Sequence, residues 1–312
     1  MRKAFAATLV ELAEQDPRIL LMTGDLGYMV LEPFIDRFPE RFINVGVAEQ
    51  NMVGLATGLA DAGFIPFVYS IIPFATLRPF EFIRNGPLVH QLPVRIVGVG
   101  SGFDYGHNGV SHYGLEDIGI MRTQPGMTVV APADHLQTTE ALKATWDAPS
   151  PIYFRLGKDH ETIVPGLEGR FEMGRLQRLG DGGDLLFVTI GNIVPEVADA
   201  ADKLRERGVQ SSVAIISSLN PSPDADLLAL LGDFELVMTV EAHYTNGGIG
   251  SYVSEIIAEH NLSCRVVRCG VDKMPDGVTG SQGYLRQQHG LSADALRNTA
   301  LAELVLNEGA DE

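Results

Sequence analysis

A chain of 312 residues with 45% hydrophobic and 20% charged residues and 34 glycines can bury a large core and is more natural as two domains than as one. Its net charge of −17 repels phosphate backbones over most of the surface, which argues against a nucleic-acid partner yet leaves room for a basic pocket. Two cysteines, Cys264 and Cys269, make no disulfide framework, so the cytoplasm is the expected compartment, and no apolar run reaches the length of a membrane span.

The first ten residues carry Arg2, Lys3 and a short apolar stretch, as a signal peptide would. Glu11, Glu14 and Asp16 follow at once, and Phe5, Leu9 and Leu12 repeat at helical spacing, so an amphipathic helix is the expectation. Residues 18–23 then form a short apolar strand ending in Gly24-Asp25-Leu26-Gly27, the form of a buried parallel strand at its ligand-binding carboxyl end. After a strand at 42–45 comes the run from Asn44 to Ala60. It carries one carboxylate, Glu49, among small and apolar residues. Met52, Leu55, Ala56 and Leu59 share a helical face, and Gly54 and Gly58 would let another helix approach. Burial and the helix dipole act on such a carboxylate in opposite senses, which suits a proton-transfer residue. A helix-start glutamate interacting only with free amides is the alternative at this point.

A strand at 64–70 precedes an expected helix at 76–86, in which Arg78, Glu81 and Arg84 could pair as neighbours. The strand at 94–99 leads into a glycine-rich loop, 100–109, long enough to carry function. His112, a helix at 115–122, strands at 127–131 and 152–155 and a helix at 136–145 complete an alternating pattern, which implies a parallel sheet covered on both faces. Loose, glycine-rich sequence over 166–183 reads as a linker between a first domain, 1–165, and a second α/β domain, 184–312. In that second domain Gly247, Gly248 and Gly250 could cradle an anion at the amino end of the next helix.

Gly24-Asp25-Leu26, Val47-Ala48-Glu49-Gln50-Asn51, the block from Arg78 to Asn85, His112 followed by Leu115-Glu116-Asp117-Ile118, Met121-Arg122, and Glu241 with His243 occur in order along this sequence. Together they resemble the carboxyl-terminal two thirds of transketolase, nearly end to end. The resemblance implies two three-layer α/β domains, a pyrimidine-binding domain and a transketolase carboxyl-terminal domain, as in transketolases split into two genes.

It also implies thiamine diphosphate as cofactor, with Glu49 hydrogen-bonding a ring nitrogen of the aminopyrimidine and so promoting loss of the proton on the thiazolium carbon. Phe74 matches a phenylalanine that stacks on the pyrimidine, with Phe80 and Phe82 as nearby candidates and Asp25 in the adjoining motif; each phenylalanine could instead be core. His112 matches a histidine that contacts the donor's oxygen, a role its titration range suits. In the family an acidic pair between two glycines precedes that histidine, but here the run reads Gly106-His107-Asn108-Gly109, which makes His107 and Asn108 substrate-binding candidates. Arg155 matches an arginine that contacts the acceptor phosphate, the alternative being an ion pair at the sheet end. Gly100 stands where phosphate-sugar transketolases carry a histidine, which leaves room for sulfonated, carboxylated or unphosphorylated acceptors.

The family's magnesium motif belongs to a separate domain. Gly180-Asp181-Gly182 lacks the strand before it and the asparagine after it, so it is expected to be a turn, and no residue here is expected to ligate metal. The resemblance therefore implies a partner chain carrying the diphosphate- and Mg2+-binding domain, an α2β2 assembly, sugar-like substrates, and transfer of a two-carbon ketol unit. A 2-oxoacid dehydrogenase beta subunit, a deoxyxylulose phosphate synthase relative and a catalytically degenerate scaffold subunit are the alternatives.

Overall fold

Runs of aliphatic and β-branched residues alternate with helices, and they assemble into two sheets in the computed structural model, which describes residues 1–159 and 161–308. The last residues of the expected second domain, 309–312, lie outside the described residues. The first sheet contains β1 (Ile19–Thr23), β2 (Phe42–Asn44), β3 (Ile65–Ile71), β4 (Arg95–Val99), β5 (Thr128–Val130) and β6 (Ile152–Leu156), all parallel, in the order β2-β1-β3-β4-β6-β5. Between them run α1 (Arg2–Gln15), α2 (Glu32–Arg37), α3 (Glu49–Asp61), α4 (Ile72–Ala75), α5 (Phe80–Ile83), α6 (Asp117–Arg122) and α7 (His135–Thr145). Every residue of β1, β4, β5 and β6 is buried, as expected of parallel strands covered by helices on both faces.

The second half contributes β7 (Leu176–Leu179), β8 (Leu185–Ile190), α8 (Val194–Arg205), β9 (Ser211–Ile216), β10 (Ser218–Leu219), α9 (Asp224–Leu231), β11 (Leu236–Tyr244), α10 (Ile249–His260), β12 (Arg265–Val271), α11 (Gln282–Gln288) and α12 (Ala293–Glu308). Its sheet has the order β12-β11-β8-β9-β7.

Strict parallelism fails at one edge of each sheet. β7 pairs antiparallel with β9, and β10, although it follows β9 in the chain, pairs antiparallel with β5 of the first sheet. Residues 176–179 of the expected linker are thus a strand of the second sheet. Gly180-Asp181-Gly182 follows that strand rather than only preceding one. It forms the connection to β8, where Gly180 has φ +72° and a Cβ on Gly182 would lie 2.3 Å from the Gln210 carbonyl carbon. That crowding explains the glycines without a ligand.

The two halves share a core: Met22, Met52 and Ile96 from the first half with Leu186, Ile216 and Val237 from the second. Polar contacts stitch the same boundary. Arg155 on β6 is 1% exposed. Its Nε donates to Asp117 Oδ2 at 2.7 Å, and its Nη2 donates to the Gly114 and Ala242 carbonyls, both at 2.9 Å. Tyr153 OH donates to the same Asp117 oxygen at 2.7 Å. The Gly119 N–H donates to His243 Nε2 at 3.1 Å, and Arg122 reaches Glu255 and the Gly247 carbonyl.

The glycine run expected to cradle an anion at the start of α10 does so, but the anion is internal. Glu241, 1% exposed, accepts from the Ile249 and Gly250 amides at 2.9 Å each, and a Cβ on Gly248 would come within 1.8 Å of its Oε2.

Removing one partner of a buried ion pair leaves the other charge uncompensated. Asp117→Ala should therefore lower unfolding free energy in urea by about 3–5 kcal/mol, whereas Asp117→Leu combined with Arg155→Met should cost markedly less. A loss under about 1 kcal/mol for the single variant would contradict the buried-lock assignment.

Candidate active site

The carboxyl ends of β1 and β3 meet the amino end of α3, and Glu49 stands at that junction, 1% exposed. Two loops are tied together beside it. Asn44 Oδ1 accepts from the Asp25 and Gly46 amides at 3.0 Å each, and its Nδ2 donates to Asp25 Oδ1 at 3.1 Å. Gly24 allows the closeness of this junction: a Cβ there would sit 3.2 Å from the Gly46 carbonyl oxygen and 3.4 Å from Glu49 Oε1.

Glu49 has two partners. Ser70 Oγ donates to Oε1 at 3.4 Å, and Arg78 Nη1 donates to Oε2 at 2.6 Å. Neither was legible as a site residue. The helix expected over 76–86 is instead a turn, the four-residue α5 and a π-helical turn at Arg84–Leu88, so Arg78 does not pair with Glu81 but points back to α3. Its guanidinium carbon lies 4.3 Å from the Phe74 ring centroid, and Phe74 meets His112 edge-on with centroids 5.1 Å apart. Tyr105 lies 6.3 Å from His112, and Lys158 Nζ sits 4.7 Å over the Tyr105 ring. Glu49, Arg78, Phe74, His112, Tyr105 and Lys158 thus form one contiguous set.

His112 is half-buried at the end of the 3-10 turn Val110–His112, with Ser111 Oγ 3.0 Å from its Nδ1. Burial lowers its pKa from the usual 6.5, favouring the neutral ring that can both donate and accept. His107 and Asn108 are exposed on the preceding turn, Gly106–Asn108, and Asp25 is exposed with φ +60°, engaged with Asn44 and Tyr28.

Three expected site residues lie elsewhere. Phe82 is 44% exposed on the outer side of α3, where a Cβ on Gly54 would meet its ring at 3.6 Å, beside a pocket of about 360 Å³. Leu55, which by spacing shares a helical face with Met52 and Ala56, is 41% exposed, and the buried residues of α3 are Glu49, Met52, Val53, Ala56 and Ala60. Phe80 is half-buried at the start of α5 and is not among the rings in contact with Phe74. Arg155 is buried against Asp117 and two carbonyls, away from the Glu49 cluster, and its Nη1 lacks a partner among the described residues. The glycine at position 100 also has a cause: its φ is +95°, and a Cβ would lie 2.3 Å from Tyr105, so the tyrosine fills the space a larger residue would need.

Residues 1–161 match the family model for the transketolase pyrimidine binding domain, and residues 174–296 match that for the transketolase C-terminal domain. The chain belongs to the transketolase family. Relatives include a subunit of the apulose-4-phosphate transketolase of Phocaeicola vulgatus, 33% identical over 96% of each chain. A 6-deoxy-6-sulfo-D-fructose transketolase subunit of a Clostridium species is 32% identical over 96% of this chain and 93% of its own. A solved split-gene transketolase, described as an inactive beta4 tetramer, superposes with a TM-score of 0.87 at 34% identity over 98% of both chains.

Membership in the transketolase family implies thiamine diphosphate, and the residues present fit its pyrimidine end. Glu49 offers a buried acceptor oxygen already matched to a planar N–H donor, Phe74 offers a ring face beside it, and Gly24 keeps the approach open. Among the described residues no group of three or more His, Cys, Asp or Glu side chains is arranged to hold a metal ion. No helix among them is long and apolar enough to cross a membrane.

The lowered pKa of His112 has a sign that can be checked. Because the folded chain binds this proton less readily than the unfolded one, its stabilising contribution is present above pH 6.5 and is lost as pH falls below it. An NMR titration of the His112 ring should give a midpoint below 6.5, and a midpoint above it would contradict the assigned environment.

Proposed function

We propose that this chain is the pyrimidine-domain subunit of a two-chain, thiamine-diphosphate-dependent transketolase that moves a two-carbon ketol unit from a ketose to an aldehyde acceptor. The observation that carries this reading is the buried Glu49 carboxylate, held by Ser70 and linked through Arg78 to the Phe74 face. Thiamine diphosphate supplies the electron sink when bound. Glu49 would hold the pyrimidine ring and bias its protonation, and Phe74 would supply the face against which that ring packs. His112, neutral at pH 7 and in edge contact with Phe74, is placed to hydrogen-bond the donor's oxygen and pass a proton.

His107 and Asn108, exposed on the turn that leads to His112, are assigned to substrate; Arg155 is not, because it is buried and paired with Asp117. The two subunit relatives, named for a phosphorylated and a sulfonated sugar, show similar identity to this chain and support an anionic sugar substrate without choosing between them.

A second chain, carrying the diphosphate- and Mg2+-binding domain, completes the site in an α2β2 assembly. Exposed Val47, Leu55 and Phe82, next to the loop and helix that carry Glu49, offer the apolar face on which such a chain would seat. A cytoplasmic location accords with the sparse cysteines.

Reconstitution with the product of a neighbouring gene that carries the missing domain, Mg2+ and thiamine diphosphate tests the reading. Ketose turnover should appear only in the complex, and Glu49→Gln should reduce it by at least about 100-fold. Decarboxylation of a 2-oxoacid without ketol transfer, or full turnover by Glu49→Gln, would overturn it.

A further inference from the structure

Arg78 engages Glu49 and Phe74 with a single flat group. Its Nη1 donates to Glu49 Oε2 at 2.6 Å while its guanidinium carbon lies 4.3 Å from the Phe74 ring centroid. A guanidinium is planar, cationic and rich in N–H donors, and it packs well on aromatic faces. An aminopyrimidine that meets Glu49 through a ring nitrogen and stacks on Phe74 makes the same two demands. One carboxylate oxygen and one ring face cannot serve both groups at once.

We propose, on the basis of the thiamine diphosphate reading above, that Arg78 is a resident surrogate for the pyrimidine: a positioning residue that occupies its site on Glu49 and Phe74 and is exchanged for it when the coenzyme binds. Three features favour exchange over a permanent lock. The pair is asymmetric in exposure, with side-chain values of 35% for Arg78 and 1% for Glu49, so the arginine can swing into water while the carboxylate stays where it is. Glu49 keeps a second anchor, Ser70, at its other oxygen. Arg78 itself lies in the turn between α4 and α5, where no continuous helix fixes its direction.

Arg78 therefore has two effects of opposite sign. It supplies the counter-charge that a buried carboxylate requires, and it competes with the coenzyme for that carboxylate. This contrasts with Arg155 and Asp117, both sealed, whose pairing has no comparable route to exchange.

The test is calorimetric titration of the assembled complex, with its partner chain and Mg2+, by thiamine diphosphate. Arg78→Ala should bind more tightly than wild type, by about tenfold if the pair is closed nine-tenths of the time. Arg78→Lys, which keeps the charge without the planar fork, should fall between them. The thermal upshift on adding thiamine diphosphate should also be larger for Arg78→Ala, even though the variant chain by itself melts lower. If Arg78→Ala does not fold, Arg78→Gln, which keeps a flat group without charge, replaces it with the same expected direction.

A folded variant whose affinity is unchanged or weaker overturns the exchange, because a purely structural arginine would lower stability without tightening binding. A wild-type complex that binds no thiamine diphosphate overturns the coenzyme reading itself, and the exchange with it. Tight wild-type binding with an unaltered variant sinks only the exchange.

Discussion

A carboxylate with 1% of its surface exposed needs a counter-charge or a donor, and much of the local structure around Glu49 follows from that requirement. The loops after β1 and β2 are drawn together by Asn44 and made compact by Gly24, so that Glu49 starts its helix against the sheet rather than in water. The segment after α4 gives up a regular helix, which frees Arg78 to turn back and meet the buried oxygen. Phe74 is covered by the same arginine, and His112 reaches the edge of that ring from a separate loop. One buried charge thus organises residues contributed by several strand ends, as is usual at the carboxyl edge of a parallel sheet.

Buried polar contacts elsewhere in the molecule brace that edge. Arg155, Tyr153 and Asp117 form a sealed network that also grips the Ala242 carbonyl from the second half, and Glu241 fills the amino end of α10. β10 extends the first sheet with a strand from beyond the boundary. The second half is therefore continuous with the platform that carries the site, and the charges most deeply buried there are engaged in structure rather than left for ligands.

Much of this was legible in the sequence. Alternating strands and helices, the isolated glutamate in an apolar run, and the ordered motifs around Arg78 and His112 pointed to the family and to Glu49, Phe74 and His112 as neighbours. What stayed hidden depends on distance in space rather than spacing in the chain. Arg78 looked like a partner for Glu81 because helical periodicity pairs near neighbours, whereas tertiary geometry paired it 29 positions back. Arg155 carries the residue type of an anion ligand, and only the arrangement of Asp117, Gly114 and Ala242 shows it to be buried with its Nε and Nη2 engaged. β7 and β10 are four and two residues long, too short for period-two patterning to declare them, and their partners lie far along the chain. Spacing places Leu55 on one helical face with Met52 and Ala56, yet it is exposed while those two are buried, because spacing alone does not say how far round the helix the covering elements reach.

The proposed role of Glu49, control of proton loss from the bound coenzyme, does not depend on the substrate. The most direct measurement is the rate at which the thiazolium carbon proton exchanges with deuterated water in the assembled complex, followed by rapid quench and NMR. Glu49→Gln should slow that exchange by at least about 100-fold while the coenzyme remains bound. Exchange at the wild-type rate in a fully loaded Glu49→Gln complex would contradict the claim.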